Sequence, residues 1–188
     1  MFGDLPRRLL VNGKYYRIRT NFWDIRKIIK AFNDPNLTDE EKAYVCLFIL
    51  YRDFDKLPRN EYDAAFLEAV KFLDHGRDAP DKKARPSPTV MDWEQDEAII
   101  FPEINKVAGF ETRSAKYIHW WTFDGYFMAI NEGIFTHVLS MRSKKAKGKS
   151  LEKHEREFWN ANKSICVLKP RLSKEEQEKK DRLNALLG

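Results

Sequence analysis

Most of the chain shows the three-and-four spacing of apolar residues that predicts amphipathic α-helices. The first such segment is NFWDIRKIIKAF, residues 21–32, where Thr20 or Asn21 can cap the start of the helix. Asp34 and Pro35 follow directly and are expected to end it.

Two further helices are predicted before residue 77. Thr38 and Glu41 are spaced as a capping box ahead of AYVCLFILYRDF, residues 43–54. This segment is apolar on all sides, so the helix is expected to be central and buried. The next helix is predicted to start at Asn60 and to stop at Gly76, a favourable C′ residue.

A different pattern precedes these helices. Residues 8–19 alternate around Asn12–Gly13, a pair that tolerates positive φ at both central positions of a hairpin turn. The sequence therefore predicts a short β-hairpin, with Leu10, Tyr16 and Ile18 on one face. A hairpin of this size is unstable alone and must lie on the helices that follow.

Residues 77–89 carry three prolines and six charged residues, which predicts a mobile connector or a boundary between two halves. After them, Asp92 is expected to cap a helix that Gly109 ends. Pro102 lies inside this helix and should kink or divide it.

The densest aromatic stretch is YIHWWTFDGYFMAI, residues 117–130. It is predicted to lie in a helix from Ser114 to about Asn131, with most of its rings in the core. Adjacent helical positions diverge, so only one of Trp120 and Trp121 is expected to be fully buried, and the other to face a partner. Gly125, in the middle of the helix, is expected to let a neighbouring helix approach.

The remaining chain is more polar. Residues 135–141 predict a short helical turn, MRSKKAKGKS (141–150) a flexible basic linker, and Ser150 the start of another helix. Ser173–Glu176 is a further capping-box pattern that opens a charged terminal helix. Its few apolar residues cluster at the end, so this helix is expected to be dispensable for folding.

The pattern as a whole predicts a mainly α fold, a multi-helix domain with a short N-terminal β-hairpin. The predicted domain spans residues 1–170, with the hairpin at 8–19 and the connector at 77–89. A charged C-terminal helix occupies residues 171–188.

Composition narrows the functional classes. Hydrophobic residues make up 43% and aromatic residues 13% of the 188, too many for a disordered chain. No apolar run approaches the about eighteen residues of a membrane span, so no membrane contact is expected. The net charge of +5 hides an acidic middle between two basic ends, residues 1–20 and 142–188. A nucleic-acid binder usually concentrates its charge on one recognition surface, whereas the basic surplus here lies at the two ends of the chain.

The candidate chemistry is sparse. Of the four histidines, none is spaced four residues from another, and the acidic clusters lack the glycine of a calcium loop, so no metal site is predicted. No nucleophile elbow, P-loop or dinucleotide motif occurs, so neither catalytic nor cofactor-binding residues are predicted and the chain is not expected to be an enzyme. Cys46 and Cys166 are expected to be reduced thiols, Cys46 in an apolar core.

The basic run at residues 142–149 leaves two alternatives open. It could follow a phosphate backbone while Phe158 and Trp159 stack on bases, or it could be a solvated linker, which is the favoured interpretation. The candidate partner-binding residues are Trp120, Trp121, Phe158 and Trp159.

Several segments together carry a resemblance to a known family. They are DLP at residues 4–6, VNGKYYRIRTNFWD, LTDEEKAYVCLFILY, MDWEQDEAII, IHWWTF and E-x-E-F-W at 155–159. The most specific are DWEQD at 92–96 and HWW-x-F at 119–123. The chain resembles the tail assembly chaperones of long-tailed phages of Gram-positive bacteria, small proteins encoded just before the tape measure gene.

This resemblance implies a non-catalytic function in the host cytoplasm. The protein would bind the tape measure protein and assist polymerisation of the tail tube protein around it, with self-association as a further option. Two alternatives stay open: a structural tail or connector component of the virion, and a small nucleic-acid-binding protein, which the charge pattern disfavours.

Overall fold

The computed structural model describes residues 3–76 and 88–187. Of the predicted connector at 77–89, residues 77–87 lie outside the described residues. The described part is mainly helical with an N-terminal antiparallel hairpin, which confirms the predicted fold class.

The hairpin consists of β1 (Arg8–Val11) and β2 (Lys14–Arg17). Asn12 and Gly13 between them have φ of 46° and 84°, as a two-residue turn with positive φ requires. Tyr16 and Ile18 share the buried face as predicted, but Leu10 does not, because it pairs with Tyr15 on the exposed side. Val11, Tyr16 and Ile18 are the buried residues.

The first two helices are α1 (Phe22–Phe32) and α2 (Asp39–Leu50). Asn21 is the N-cap residue of α1, although its side chain makes no cap hydrogen bond. Thr38 and Glu41 form the predicted capping box of α2. The expected complete burial of α2 is wrong: one face is buried, while Tyr44 and Phe48 are exposed.

Two 3₁₀ turns, Phe54–Lys56 and Arg59–Glu61, lead into α3 (Tyr62–Leu73). The helix ends in a Schellman arrangement, in which Gly76 N–H donates to Lys71 O and His75 N–H to Phe72 O. The left-handed C′ residue is therefore His75, with φ of 60°, and not Gly76 as predicted.

α4 (Glu97–Ala108) ends at Gly109 in the left-handed conformation, as predicted. It continues through Pro102 as one helix, so the proline does not divide it. The N-cap residue of α4 is Asp96 and not Asp92 as predicted. Asp92 caps the preceding turn instead, since its Oδ1 accepts from the backbone N–H groups of Glu94 and Gln95.

The aromatic stretch departs most from its prediction. Thr112–Ser114 is a 3₁₀ turn, and α5 (Trp120–Met128) begins six residues later than predicted. The backbone between them pairs with the start of α1 instead: Phe22 N–H donates to Ile118 O and Trp120 N–H to Thr20 O. Gly125 also differs from expectation, because a Cβ there would meet nothing within 4 Å.

α6 (Ile134–Ala146) is longer than the predicted short turn and takes in the first part of the presumed flexible basic linker. α7 (Lys153–Ala161) and α8 (Lys163–Cys166) follow. α9 (Lys174–Leu187) opens with the predicted capping box, in which Ser173 and Glu176 exchange hydrogen bonds.

The chain divides into two compact units. Among the described residues, unit 1 takes in 3–76, 117–121 and 170–187, and unit 2 takes in 88–116 and 122–169. Each unit has its own buried apolar residues. The predicted single domain over 1–170 with a separate helix over 171–188 stays a prediction, because compactness alone does not decide which parts fold independently.

Candidate partner-binding surfaces

Trp120 and Trp121 both bind the end of α3 in unit 1. The Trp120 indole N–H donates to Leu73 O at 3.0 Å, and the Trp121 indole N–H donates to Phe72 O at 2.8 Å. These carbonyls belong to the last turn of a helix, where intrahelical donors run out. The two indoles therefore have a structural role that their sequence position did not reveal.

Their exposure differs as predicted. Trp120 is 5% exposed, whereas Trp121 is half-buried and stacks on the rings of Phe72 and His75. Trp120 thus offers little surface to a partner, and only part of Trp121 is accessible. Their role in partner binding stays a prediction.

His119 helps to fix this segment through both ring nitrogens. Nε2 lies 3.0 Å from Pro6 O, a carbonyl that can only accept, and Nδ1 accepts from Trp121 N–H at 3.1 Å. The neutral ring with its proton on Nε2 satisfies both contacts. Burial lowers the pKa of His119, and the neighbouring Arg7 and His75 lower it further.

Elsewhere in unit 1 lies a cluster of four aromatic rings, two of them exposed, which we call the aromatic patch: Tyr44, Phe48, Phe54 and Tyr62. The Tyr44 and Phe48 rings lie 6.4 Å apart and nearly parallel, four residues apart on α2. Phe54 is central, with ring centroids 5.3 Å from Tyr44, 5.6 Å from Phe48 and 5.4 Å from Tyr62.

Tyr44 is 51% and Phe48 57% exposed although both rings are large and apolar. The opposite face of α2 is buried through Cys46, Leu47 and Leu50. Burial raises the pKa of the Cys46 thiol to about 12, as expected of an inert core cysteine. The patch is therefore a surface that the fold of unit 1 leaves in water.

Arg19 supports the end of α2 that carries the patch. Its Nη1 donates to Ile49 O at 2.7 Å and also reaches Phe48 O and Tyr51 O. A cation at the C-terminus of a helix meets the negative end of the macrodipole. This contact holds the backbone beneath Phe48 in place.

Phe158 and Trp159 lie in unit 2 and are partly buried. Both pack against a core cluster whose buried members are Val138, Met141, Leu151 and Cys166. Phe158 makes an edge contact with His137 at 5.0 Å, and the Lys145 ammonium lies 4.9 Å above the Trp159 ring. Neither ring is a free platform for base stacking.

A concave basic surface surrounds Trp159, and we call it the Trp159 pocket. Its volume is about 490 Å³. It is lined by Lys145, Lys149, Ser150, Leu151, Arg156, Trp159, Asn160 and Lys163. Lys145 and Lys149 of the basic run therefore share one surface with Trp159, whereas Phe158 does not line it.

The first residue of the basic run, Arg142, is a buried structural residue that the sequence analysis missed. Its guanidinium binds the Asp96 carboxylate through two contacts of 2.8 and 2.7 Å. The other donors reach the carbonyls of Val90, Ile165 and Cys166, so all five N–H groups are used. The predicted flexible linker is wrong here, and the signal was position: Arg142 lies four residues after buried Val138 on the same helical face.

Two searches of the described residues concern other kinds of site. Residues 3–76 and 88–187 contain no group of three or more histidine, cysteine, aspartate or glutamate side chains arranged to hold a metal ion. Within the same ranges, no helix has the length and apolarity needed to cross a membrane.

Comparison with known proteins adds a family. Residues 2–168 match the family model described as bacteriophage Gp15 protein, which is most of the chain. The chain belongs to this Gp15 family. No curated protein and no solved structure matches this family member. The sequence resemblance is therefore confirmed at the level of a phage protein. All four candidate residues and most of each unit lie within the matched range, while the part of unit 1 from residue 170 onward lies outside it.

Proposed function

We propose that this Gp15 family member is a tail assembly chaperone that binds the tape measure protein of its phage. The observation that carries the proposal is the aromatic patch. Family membership supports a phage function, and the sequence resemblance supports the specific role. The function is expected to be non-catalytic and to take place in the host cytoplasm.

The chemistry of the client fits such a patch. A tape measure protein is a long helical chain whose apolar stripe lacks a partner until the tail tube surrounds it, and exposed apolar surface of that kind promotes aggregation. An amphipathic helix presents anchors at three- and four-residue spacing. Tyr44 and Phe48 offer matching aromatic surface at the same spacing.

Affinity at each site is expected to be weak. A chaperone that covers many similar segments needs only micromolar binding at each, about −8 kcal/mol. Several copies along one client would supply avidity. Self-association and contact with the tail tube protein belong to the same proposal.

The test is co-expression with the tape measure protein, followed by measurement of the soluble fraction. The patch variant carries Tyr44→Ser and Phe48→Ser. The control carries Leu183→Ser and Leu186→Ser, which also remove two exposed apolar side chains, on α9. We expect the native chain and the control to keep the client soluble and the patch variant to lose it to the pellet.

A tape measure protein that stays insoluble beside the native chain would refute the chaperone proposal. If the patch variant kept as much client soluble as the native chain does, the chaperone role would stand, but the aromatic patch would not be its binding surface. Presence of the protein in mature particles would favour the structural tail or connector component instead.

A further inference from the structure

The Trp159 pocket concentrates positive charge in one concave space. Its lining includes Lys145, Lys149, Arg156 and Lys163 and no acidic residue. Concave surfaces of one charge sign focus the electrostatic field and raise the local concentration of ions of opposite charge. The pocket therefore suits an anion.

Nearby acidic groups do not neutralise this charge. Glu155 is buried and binds Lys144, outside the pocket lining, at 2.6 Å. This contact lowers the pKa of the Glu155 carboxyl. Among the residues that the structure describes, Lys149, Arg156 and Lys163 have no carboxylate within ion-pair distance, and all three are exposed.

Nucleic acids and acidic protein segments both carry suitable anions, and the geometry of the pocket favours the protein segment. Single-stranded nucleic acid is bound by basic grooves with open aromatic faces on which bases stack. Here the Trp159 ring lies under Lys145, and Phe158 contacts His137. A local, half-open concavity of about 490 Å³ suits a few side chains better than an extended phosphate backbone.

We propose that the Trp159 pocket binds an acidic protein segment that presents two or more carboxylates to Lys149, Arg156 and Lys163. Lysine and arginine clusters are a recurrent means of recognising acidic motifs. This inference does not rest on the proposed function, because the pocket is in unit 2 and carries different chemistry from the aromatic patch.

The probe is a fluorescent, alanine-rich helical peptide with glutamates at three- and four-residue spacing, which places the carboxylates on one face. A matched peptide with glutamine in place of glutamate tests the need for charge. A single-stranded DNA oligonucleotide with the same label tests nucleic acid. Fluorescence anisotropy of the full chain with each probe gives the affinities at low and moderate salt.

The pocket variant carries Lys149→Glu, Arg156→Glu and Lys163→Glu. A control variant carries Lys179→Glu, Lys180→Glu and Arg182→Glu on exposed α9, so both have the same change in net charge. We expect the pocket variant to lose at least about tenfold in affinity for the acidic peptide and the control less than about twofold. Replacing Lys149, Arg156 and Lys163 by Gln should give an intermediate loss of affinity.

Circular dichroism and thermal melting establish that each variant is folded, and exposed surface substitutions are expected to leave both unchanged. Three results would overturn the proposal. They are equal losses in the pocket and control variants, no charge-dependent binding by the native chain, and tighter binding of the oligonucleotide that the pocket variant abolishes. The last would assign the pocket to nucleic acid.

Discussion

The aromatic stretch at residues 117–128 and the aromatic patch differ in what covers their rings. In the stretch, Trp120 is 5% and Phe123 0% exposed, and the indole N–H of Trp120 binds a helix end. In the patch, Tyr44 and Phe48 are more than half exposed and contact mainly other aromatic rings.

This difference shows that aromatic density along the sequence does not locate an exposed aromatic surface. The dense stretch is largely covered by the protein, because Trp120 and Trp121 meet the end of α3 and Phe123 is buried, although Tyr117 is 49% exposed. The less conspicuous pair on α2 stays in water, because α2 packs its other sides on α1 and α3. Whether a ring is buried or exposed depends on which neighbouring elements cover it, and the apolar periodicity of a single helix does not show that coverage.

The largest expected difference in stability is between variants that truncate one ring in each region. Trp120→Ala should lower the free energy of unfolding by about 3–5 kcal/mol, since it leaves a cavity and removes a hydrogen bond to the end of α3. Phe48→Ala should lower it by less than about 1 kcal/mol, because the ring is already exposed. Urea denaturation of both variants measures the contrast, and equal losses would abolish the distinction between the two regions.

The second prediction sharpens the comparison through pH. The neutral form of His119 holds the aromatic stretch in place, and burial lowers the pKa of His119 in the folded state. As pH falls below about 6.5, the unfolded chain therefore binds a proton before the folded chain does. The stabilisation from neutral His119 is present above that pH and is lost as pH falls through the lowered pKa.

The groups that face His119 are Pro6 O, Trp121 N–H, Arg7 and His75. The free energy of unfolding is measured at about one pH unit above and one below 6.5. Its decrease from the higher to the lower pH should be larger for the native chain than for His119→Gln. Other titrating groups cancel in this difference. A variant with the same pH slope as the native chain would show that His119 does not couple the stretch to pH.

Local patterns in the sequence were sufficient for much of the fold. Helix α1, Phe22–Phe32, follows from its apolar spacing, the Thr38 and Glu41 capping box from its residue types, and the hairpin turn from Asn12–Gly13. Each depends on residues within a few positions of one another. These are the features that a sequence states directly.

The missed features depend on distant partners. The late start of α5 reflects pairing of Ile118 with Phe22, almost a hundred residues earlier, which helical spacing cannot show. Arg142 looks like the lysines that follow it until Asp96 is placed beside it. At the candidate site, Tyr44 and Phe48 were grouped with core residues because their exposure depends on where α1 and α3 pack.

A smaller change in the free energy of unfolding is expected from a substitution inside α5. Gly125→Ala should raise the free energy of unfolding by about 0.5–1 kcal/mol, because glycine disfavours the helix and a Cβ there meets open space. Gly133→Ala is the matched control and should destabilise, since its φ of 157° is a conformation that residues with a Cβ rarely adopt, and the Cβ would displace the Glu103 carboxylate from Ile134 N–H. Denaturation curves measure both. Loss of stability in Gly125→Ala would restore the prediction that a close neighbour needs this glycine.

The smallest effect is expected from removing α9, which tests whether exposure alone makes a binding surface. Leu183 is 57% and Leu186 83% exposed, at least as exposed as Phe48, yet they lie on a helix whose described side chains are all exposed. Ending the chain at Ser173 removes the Lys174 N–H contact to Asn36 and little buried surface. The free energy of unfolding should change by less than about 0.5 kcal/mol, and the soluble fraction of the co-expressed client should not change. Loss of client solubility with unchanged stability would move the binding surface from the clustered rings of the aromatic patch to α9.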